Sequence, residues 1–335
     1  MDSPSCSCRS TRRAFLLAAA AWPAIGWIGM ARAQSKQPIL IGWLSLGSRE
    51  SRAHWLAAFK EGLAALGWRE GSQVVIEERS AETRADRLPS LAKELAAKKP
   101  AVIVASGLRA AVELSRAVPK IPIVLVGGDP VVAGLVASYA RPGGMVTGVT
   151  SISVDLTEKY LELLLAAAPK LKRVGFLGYS LNPNYPAFLD NARRSATRHS
   201  IEARFADVLK AEEIEPALSR LAKEGAQALV VLTGALLGTE RQRIVKLALA
   251  RRWPVVAGAR EFAEEGALLS YGADGSANYR RAAYYVDRIL KGAKPGDLPI
   301  EQPTKFELVI NMKTARALKL EISRELAVRA DRVIE

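Results

Sequence analysis

Residues 129–149 read DPVVAGLVASYARPGGMVTGV, and the role of this stretch decides how the chain is organised. Asp129 and Pro130 follow an apolar run, and the segments ARPGG and TGV carry the glycine and proline pairs that mark tight turns. The stretch is too short to be a domain. It is therefore an active-site loop, a phosphate-binding loop or a connection between two bodies, and the flanking sequence must distinguish these.

Before this stretch, strand-like and helix-like segments alternate. The strand-like runs are PILIGWLSL (38–46), SQVVIEERS (72–80), AVIVAS (101–106) and IPIVLVG (121–127). Between the first two runs, Leu56, Phe59 and Leu63 recur at helical spacing. The order βαβαβαβ with short links predicts a parallel sheet that is covered by helices on both faces.

After Val149 the same alternation restarts. The strand-like runs are RVGFLGYS (173–180), IEARFADV (201–208), QALVVLTG (227–234), PVVAGA (254–259), GALLSYGAD (266–274) and FELVIN (306–311). A Pro/Gly-rich linker, AKPGDLP, precedes the last of them, and a final helical turn follows it. The sequence therefore predicts an α/β fold with two doubly wound parallel-sheet lobes.

Residues 1–34 have the pattern of an export signal. An arginine pair, Arg12-Arg13, precedes an apolar run, and Ala31-Arg32-Ala33 forms an A-x-A cleavage site. The segment resembles a twin-arginine signal, and the general secretory route stays open. We expect cleavage near Ala33 and a periplasmic mature protein. Because Cys6 and Cys8 precede the apolar run, the mature chain would hold no cysteine.

Composition and charge narrow the class of protein. The chain of 335 residues is 49% hydrophobic and 24% charged, which is typical of a globular protein. Its net charge is +14, but Lys and Arg are scattered, without an arginine-rich arm or a basic run with interleaved aromatics. We therefore expect no nucleic-acid partner.

Motifs for catalysis and cofactors are missing from the sequence. It contains no G-x-S-x-G motif, no Walker A motif, and no G-x-G-x-x-G in the first strand-to-helix turn. Adjacent acidic pairs such as Glu77-Glu78 do not face each other, so no metal site is expected. We predict a protein without catalysis, cofactor or metal. An exported hydrolase that uses His54 or His199 is the alternative.

Small polar residues follow many of the predicted strands. The candidate ligand-binding residues are Ser48, Arg49, Ser106, Gly107, Asp129, Tyr179, Thr233, Arg260 and Asp274. Ligands of doubly wound sheets bind at the carboxyl ends of the strands, so two facing lobes would form one cleft. Arg49 and Arg260 would bind a carboxylate or another anion, and Tyr179 and Tyr271 an aromatic portion. Helix capping and turn formation are the alternative roles.

The opening stretch resembles the D-P-V-x-x-G-L-V-x-S-L-A-R-P-G-G-N-x-T-G-V segment of a family of ABC-transporter substrate-binding proteins. That family includes the tryptophan-binding lipoproteins of the TrpX type. Residues 57–79 (AAFKEGLAALGWREGSQVVIEER) and residues 272–320 resemble the same family. The resemblance implies a type I periplasmic-binding-protein fold with a hinge near residues 146–150, 272–276 and 298–304.

This resemblance also implies the bounds of the two lobes, a role in transport and a partner protein. The lobes would comprise residues 38–148 with 275–299, and residues 149–274 with 300–335. A small ligand would be captured between them and delivered to an inner-membrane ABC permease by a monomeric protein. A receptor module that feeds a membrane signalling partner is the alternative.

Two departures from the family pattern concern the ligand. Met145 stands where the family usually has Asn, and no role for Met145 follows from the sequence. Thr233-Gly234-Ala235 stands where the TrpX-type proteins have an Asp-Asn pair at the cleft. An acidic partner for an amino acid's ammonium group is therefore absent at this position, and tryptophan is not carried over as the ligand.

Overall fold

The computed structural model describes residues 37–335, and two β-sheets form the centres of two α/β lobes there. The predicted export signal, residues 1–34, lies outside the described residues. The first sheet has five parallel strands: β1 (Ile39–Ser45), β2 (Val74–Ser80), β3 (Val102–Ser106), β4 (Ile123–Val126) and β5 (Val146–Val149). Their order is β2-β1-β3-β4-β5, so the strand order reverses between β1 and β3. Such a switch point opens a crevice at the carboxyl ends of these two strands.

Four helices cover the two faces of the first sheet. They are α1 (Arg49–Ala65), α2 (Leu88–Ala97), α3 (Leu108–Ala117) and α10 (Gly275–Leu290). On the α1 and α10 face, Trp43, Phe59 and Tyr285 are buried in one apolar cluster. On the α2 and α3 face, Leu44 and Leu95 belong to another. The strands read as near-continuous apolar runs because both of their faces are buried.

The second sheet has seven strands within the described residues. They are β6 (Arg173–Tyr179), β7 (Glu202–Val208), β8 (Leu229–Val231), β9 (Val255–Ala257), β10 (Leu269–Ala273), β11 (Phe306–Asn311) and β12 (Arg332–Ile334). Their order is β12-β11-β10-β9-β8-β6-β7, and only the β10–β11 pairing is antiparallel. The helices of this lobe are α4 (Leu156–Ala167), α5 (Tyr185–Arg198), α6 (Ile214–Lys223), α7 (Ala235–Thr239), α8 (Arg241–Ala250), α9 (Arg260–Glu264), α11 (Met312–Leu318) and α12 (Arg324–Val328).

The chain passes between the lobes after β5, between β10 and α10, and again before β11. The first and third of these passages lie side by side. The backbone N–H of Glu301 donates to Gly148 O at 3.0 Å, and that of Thr150 donates to Glu301 O at 2.9 Å. Thr147 Oγ1 also donates to Leu298 O at 2.8 Å, so backbone and side-chain hydrogen bonds together hold the two crossing segments.

Residues 129–149 form a connection, and their glycines serve backbone geometry. Gly143 has φ +77°, and its N–H donates to Gly296 O at 3.3 Å. The predicted α/β class with two sheet-centred lobes is confirmed. Two strands were missed: residues 146–149 add a fifth strand to the first sheet, and β12 follows the segment predicted as a final helical turn.

Met145 lies just before the fifth strand and is partly buried. Its carbonyl oxygen accepts a hydrogen bond from Ile123 N at 2.7 Å, which begins the β4–β5 pairing. This is a backbone role that any residue could fill, so nothing in the structure explains the side chain. Among residues 37–335, no helix is long and apolar enough to cross a membrane.

Candidate functional site

A cavity of about 210 Å³ lies between the two lobes, at the carboxyl ends of strands from both sheets. The first lobe contributes residues that follow β1, β3 and β4, and the second lobe contributes residues that follow β6, β8 and β9. A volume of roughly 30 Å³ per water molecule makes this space equal to about seven waters. The cavity is therefore of the size that a small organic molecule fills.

An aromatic and cationic stack forms the first-lobe side of the cavity. The guanidinium carbon of Arg52 lies 4.3 Å from the centroid of the Trp55 ring, one helical turn further along α1. Trp55 in turn stacks on Tyr279 of α10, with centroids 5.3 Å apart and planes at 23°. The Tyr279 hydroxyl lies 2.5 Å from Ser106 Oγ at the end of β3. The stack is thus tied to the switch point of the sheet.

Arg52 is a buried cation without an acidic partner. Only 7% of the residue is exposed, and no described carboxylate lies within 4.0 Å of its guanidinium. Its Nη2 donates to Ala235 O at 3.4 Å, and its Nε is buried without a hydrogen-bond partner. Burial lowers the pKa of the Arg52 guanidinium from its ordinary value. An anion entering the cavity would recover part of this desolvation cost.

Glu261 is the only carboxylate on the cavity lining among the described residues. It lies at the start of α9, and its Oε1 is 3.0 Å from His54 Nε2. Burial alone would raise the pKa of the Glu261 carboxyl. Hydrogen bonds from His54 and from its own backbone N–H oppose this effect, and the net pKa is lowered. Glu261 is therefore an anion at neutral pH.

Hydroxyl groups dominate the second-lobe side of the cavity. Tyr160, Tyr179 and Thr233 all line it; their hydroxyls are buried, and the Thr233 hydroxyl lies against that of Tyr160. Burial raises the pKa of Tyr179 to about 12, and it also raises the pKa of Tyr160. Both phenols are therefore neutral and can donate as well as accept a hydrogen bond.

Within the described part of the chain, three side-chain contacts join α1 to the second lobe beside the cavity. Besides the His54–Glu261 and Arg52–Ala235 contacts, the hydroxyls of Ser51 and Thr239 are 3.3 Å apart. All three first-lobe residues lie in the first two turns of α1. The two lobes are therefore in direct contact beside the cavity.

Of the predicted site residues, the structure brings five together around the cavity. They are Ser106, Gly107, Tyr179, Thr233 and Arg260. Gly107 has φ +109°, which favours glycine, and it precedes the first turn of α3. Arg260 lines the cavity, but its guanidinium is held by Asp274 at 2.9 Å and Glu307 at 3.4 Å. Arg260 is therefore already neutralised, unlike Arg52.

The other predicted residues lie outside the cavity lining, which corrects the expectation from sequence. Ser48 caps α1 by accepting a hydrogen bond from Ser51 N at 3.2 Å. Asp274 caps α10 in the same way through Ala277 N at 3.1 Å. Arg49 has a side chain that is 70% exposed and pairs with Glu78 of β2 at 3.5 Å. Capping was the alternative role for such residues, and here it applies.

Asp129 and Tyr271 also do not line the cavity. Asp129 Oδ1 accepts hydrogen bonds from the N–H groups of residues 131 and 132, both at 3.0 Å, and its Oδ2 accepts from the Tyr139 hydroxyl at 2.5 Å. Both of its carboxylate oxygens thus bind groups of the loop that begins at Pro130. The Tyr271 ring packs against Phe306 instead, with centroids 5.9 Å apart.

Among the lining residues that were not predicted from the sequence are Arg52, Trp55, Glu261 and Tyr279. All four lie within helices, whereas the candidate residues were expected in the turns that follow strands. One feature of the sequence could have indicated two of them. Arg52 and Trp55 stand at i, i+3 spacing in the first helix, as a polar and aromatic pair beside the apolar stripe.

One cluster of possible metal ligands lies elsewhere on the second lobe. Glu158, Glu162 and His199 have ligand atoms within 4.8 Å of one another. Glu158 pairs with Arg198, and Glu162 pairs with Lys159 at 2.6 Å. Both carboxylates are thus already paired with a cation.

Comparison with known proteins gives a family match over most of the chain. The model of the family described as "ABC transporter substrate binding protein" matches residues 44–334. A curated relative, the "Tyrosine-binding protein" of Clostridioides difficile (strain R20291), is 27% identical over 292 residues, which cover 87% of this chain and 84% of the relative.

Solved structures give the same result for the fold. A conserved domain protein from Vibrio cholerae has a TM-score of 0.84 at 25% identity, covering 89% of this chain and 100% of that one. The ABC domain from Streptococcus pneumoniae in complex with L-Trp has a TM-score of 0.82 at 25% identity, with the same coverage. These neighbours share the two-lobed architecture described above.

Proposed function

Because the chain belongs to the ABC transporter substrate-binding protein family, we propose that it captures an aromatic amino acid for an ABC importer. The family is one of solute-binding proteins and not of enzymes, which agrees with the prediction of no catalysis and argues against the hydrolase alternative. In this proposal the cavity between the lobes is the capture site, and an inner-membrane permease receives the ligand.

The observation that carries the proposal is the buried, unpaired guanidinium of Arg52. A cation at 7% exposure without an acidic partner is costly in an empty cavity, and a ligand carboxylate would pair with it. Guanidinium groups bind carboxylates with two parallel hydrogen bonds, and Arg52 lines the cavity without an acidic side chain in contact. The ligand is therefore a carboxylate.

The aromatic part of the ligand follows from the side chains around Arg52. Trp55 stacks on Tyr279, and Trp55, Tyr279 and Phe262 of α9 all line the cavity. Aromatic rings favour such stacked contacts over aliphatic ones. A relative named as tyrosine-binding and a structural neighbour in complex with L-Trp support the same ligand class.

An ammonium partner is available despite the departure at Thr233-Gly234-Ala235. Glu261 lines the cavity, and it lies near enough to Arg52 for the two charges to attract. One Glu261 oxygen faces His54, which leaves the other for an ammonium group. Arg52 and Glu261 together would hold the two charges of an α-amino acid.

Capture would proceed by closure of the lobes. The moving bodies in this proposal are residues 38–148 with 275–299, and residues 149–274 with 300–335. A ligand would first bind the first lobe beside Arg52 and Trp55, and the second lobe would then close and bring Glu261 against it. ABC substrate-binding proteins act outside the cytoplasm, and we place this one in the periplasm as a monomer that meets its permease in the closed form.

A calorimetric panel tests the ligand class. The purified protein would be titrated with L-tyrosine, L-tryptophan and L-phenylalanine, with L-leucine and L-glutamate as non-aromatic amino acids. We expect measurable binding of an aromatic member and a concentration-dependent rise in the melting temperature. Binding restricted to the non-aromatic members, or to none of the five, would refute the proposed ligand class.

Transport is tested separately in the source cells. Deletion of the gene should abolish uptake of the radiolabelled ligand that binds in vitro, and genes for a permease and an ATPase should lie nearby. Unchanged uptake in the deletion strain, with intact binding in vitro, would favour the receptor alternative.

A further inference from the structure

A side-chain amide of the second lobe pairs with the backbone of the first lobe. Asn184, just before α5, donates from Nδ2 to Asp129 O at 3.0 Å, and the N–H of Asp129 donates to Asn184 Oδ1 at 2.8 Å. Two residues in neighbouring antiparallel strands exchange both of their hydrogen bonds in the same way. Both residues are buried, with 1% of Asn184 and 4% of Asp129 exposed. The pair is therefore a contact between the lobes from which water is excluded.

Helix capping does not explain this asparagine. Asn184 occupies the N-cap position of α5, where an asparagine side chain usually accepts a hydrogen bond from the N–H of the second or third helical residue. No such bond forms here, and the second helical residue, Pro186, has no N–H. The side-chain amide is used for the contact with the other lobe instead.

Both partners are held in place by hydrogen bonds within their own lobes. Asn182, which lines the cavity, donates from Nδ2 to Thr233 O at 2.7 Å and accepts at Oδ1 from Asn184 N at 3.0 Å. The Asp129 carboxylate accepts hydrogen bonds from residues of its own loop. The two halves of the contact are therefore positioned separately, and the Asn184 half is attached to the cavity wall.

The contact favours the lobes together only while the amide is present. When the lobes separate, water can bind the N–H and C=O of Asp129. When they meet, the Asn184 amide replaces that water, so that neither backbone group is left unpaired. An apolar side chain would leave both groups buried without partners, which costs more than an ordinary hydrogen bond contributes. Loss of the amide therefore destabilises selectively the arrangement in which the lobes are in contact.

We propose that Asn184 is a positioning residue for ligand capture, which stabilises the two lobes in contact through the Asp129 backbone and does not touch the ligand. Asn184 lies outside the cavity lining. The proposal rests on the proposed capture of a ligand between the lobes, but not on the chemical class of that ligand. It also gives Asp129 a role in capture through its backbone, in place of the predicted contact with the ligand.

Replacement of the amide tests the proposal by calorimetry and stopped-flow kinetics. Asn184→Leu is nearly isosteric and removes both hydrogen bonds, whereas Asn184→Asp keeps the acceptor but sets a carboxylate oxygen against Asp129 O. We expect each variant to bind L-tyrosine and L-tryptophan about tenfold more weakly, through faster dissociation. Because the groups that line the cavity are unchanged, the ratio of the two affinities should keep its wild-type value.

Asn191→Leu is the matched control. Asn191 lies on the same helix and donates from Nδ2 to Val154 O at 2.9 Å, within the second lobe. Its loss should lower the melting temperature of the ligand-free protein but leave both affinities unchanged.

Spin labels measure the distance between the lobes without a ligand. Lys93 of α2 and Lys223 of α6 are exposed, one on each lobe, and each is replaced by cysteine for labelling. The chain's own two cysteines are replaced by serine. Double electron–electron resonance on the ligand-free proteins should show a larger fraction of long distances in Asn184→Leu than in wild type. Asn191→Leu should give the wild-type distribution.

The outcomes separate this proposal from the proposed ligand class. Wild-type affinities and distances in both Asn184 variants, or an equal loss of affinity in Asn191→Leu, would overturn it. So would a change in the ratio of the two affinities, since this would place Asn184 in contact with the ligand. If neither amino acid binds any of the proteins, the proposed ligand class fails, and the distance distributions alone decide on Asn184.

Discussion

His54 Nε2 lies 3.0 Å from Glu261 Oε1, and this contact joins α1 of the first lobe to α9 of the second. His54 is 42% exposed in its side chain, whereas Glu261 is 16% exposed. The contact therefore lies at the rim of the cavity, between solvent and the proposed ligand. It is one of the side-chain contacts between the two lobes.

Replacing His54 should weaken ligand binding, although His54 itself does not contact the proposed ligand. Partly exposed ionic contacts contribute up to about 1 kcal/mol, so His54→Ala should raise the dissociation constant by up to about fivefold. The reason is a smaller population of the closed form. Calorimetry with the best ligand of the panel measures this. His199→Ala removes the other histidine of the chain, outside the cavity, and should leave the dissociation constant unchanged.

The Glu261 carboxyl should make the folded protein less stable as the pH falls. Its pKa in the folded protein lies below the ordinary value of 4.5, so the unfolded chain takes up the proton first as the pH falls. Stability from Glu261 is thus fully present above 4.5 and is lost as the pH falls through the lower, folded pKa. Thermal melts of wild type and Glu261→Gln from neutral pH downward measure this. The difference in melting temperature should shrink on acidification, and a growing difference would contradict the assignment.

The lobes were predictable because they rest on local patterns. Apolar runs between short links identify strands buried on both faces, and this holds for the first sheet from β1 to β4. The fifth strand was not recognised since Val146–Val149 has only four residues and follows a turn. Its pairing with β4 across a long loop is a tertiary interaction that no local pattern records.

The site was predictable only where it follows strands. Ser106 and Thr233 lie at strand ends, where the doubly wound topology directs ligands. Trp55 and Tyr279 come from helices 224 positions apart in sequence numbering and meet because α1 packs on α10. Sequence spacing cannot show which helix face turns to the cavity, so the stack was missed and the exposed Arg49 was selected.

Gly148 should tolerate no side chain. Its φ is +136°, and a Cβ atom would collide with the backbone of Leu125 on β4. Gly148→Ala should therefore lower the free energy of unfolding by more than about 2 kcal/mol. Urea denaturation measures the loss. Gly144→Ala is the matched control, because no atom lies within 4 Å of the added Cβ there, and it should be close to neutral. Equal stability of the two variants would contradict the assigned strand pairing.

Arg52→Met should weaken ligand binding and at the same time raise the stability of the ligand-free protein. The substitution keeps an unbranched side chain over Trp55 but removes a buried charge that has no acidic partner. The ligand-free variant should then be more stable than wild type by about 1 kcal/mol, since burying an unpaired charge is unfavourable. Affinity for the aromatic amino acid should fall about 10- to 100-fold, as expected when charge-assisted hydrogen bonds to a carboxylate are lost.

Arg49→Met provides the matched comparison for Arg52, because it removes a guanidinium from the same helix, three residues earlier. Arg49 is exposed and pairs with Glu78, outside the cavity lining. Its loss should change neither the affinity nor the melting temperature appreciably, since exposed ion pairs contribute little. Thermal melts and calorimetry on both variants show which of the two arginines binds the ligand carboxylate. A loss of affinity in Arg49→Met with retention in Arg52→Met would transfer the carboxylate site to the start of α1 and overturn the assignment made from burial.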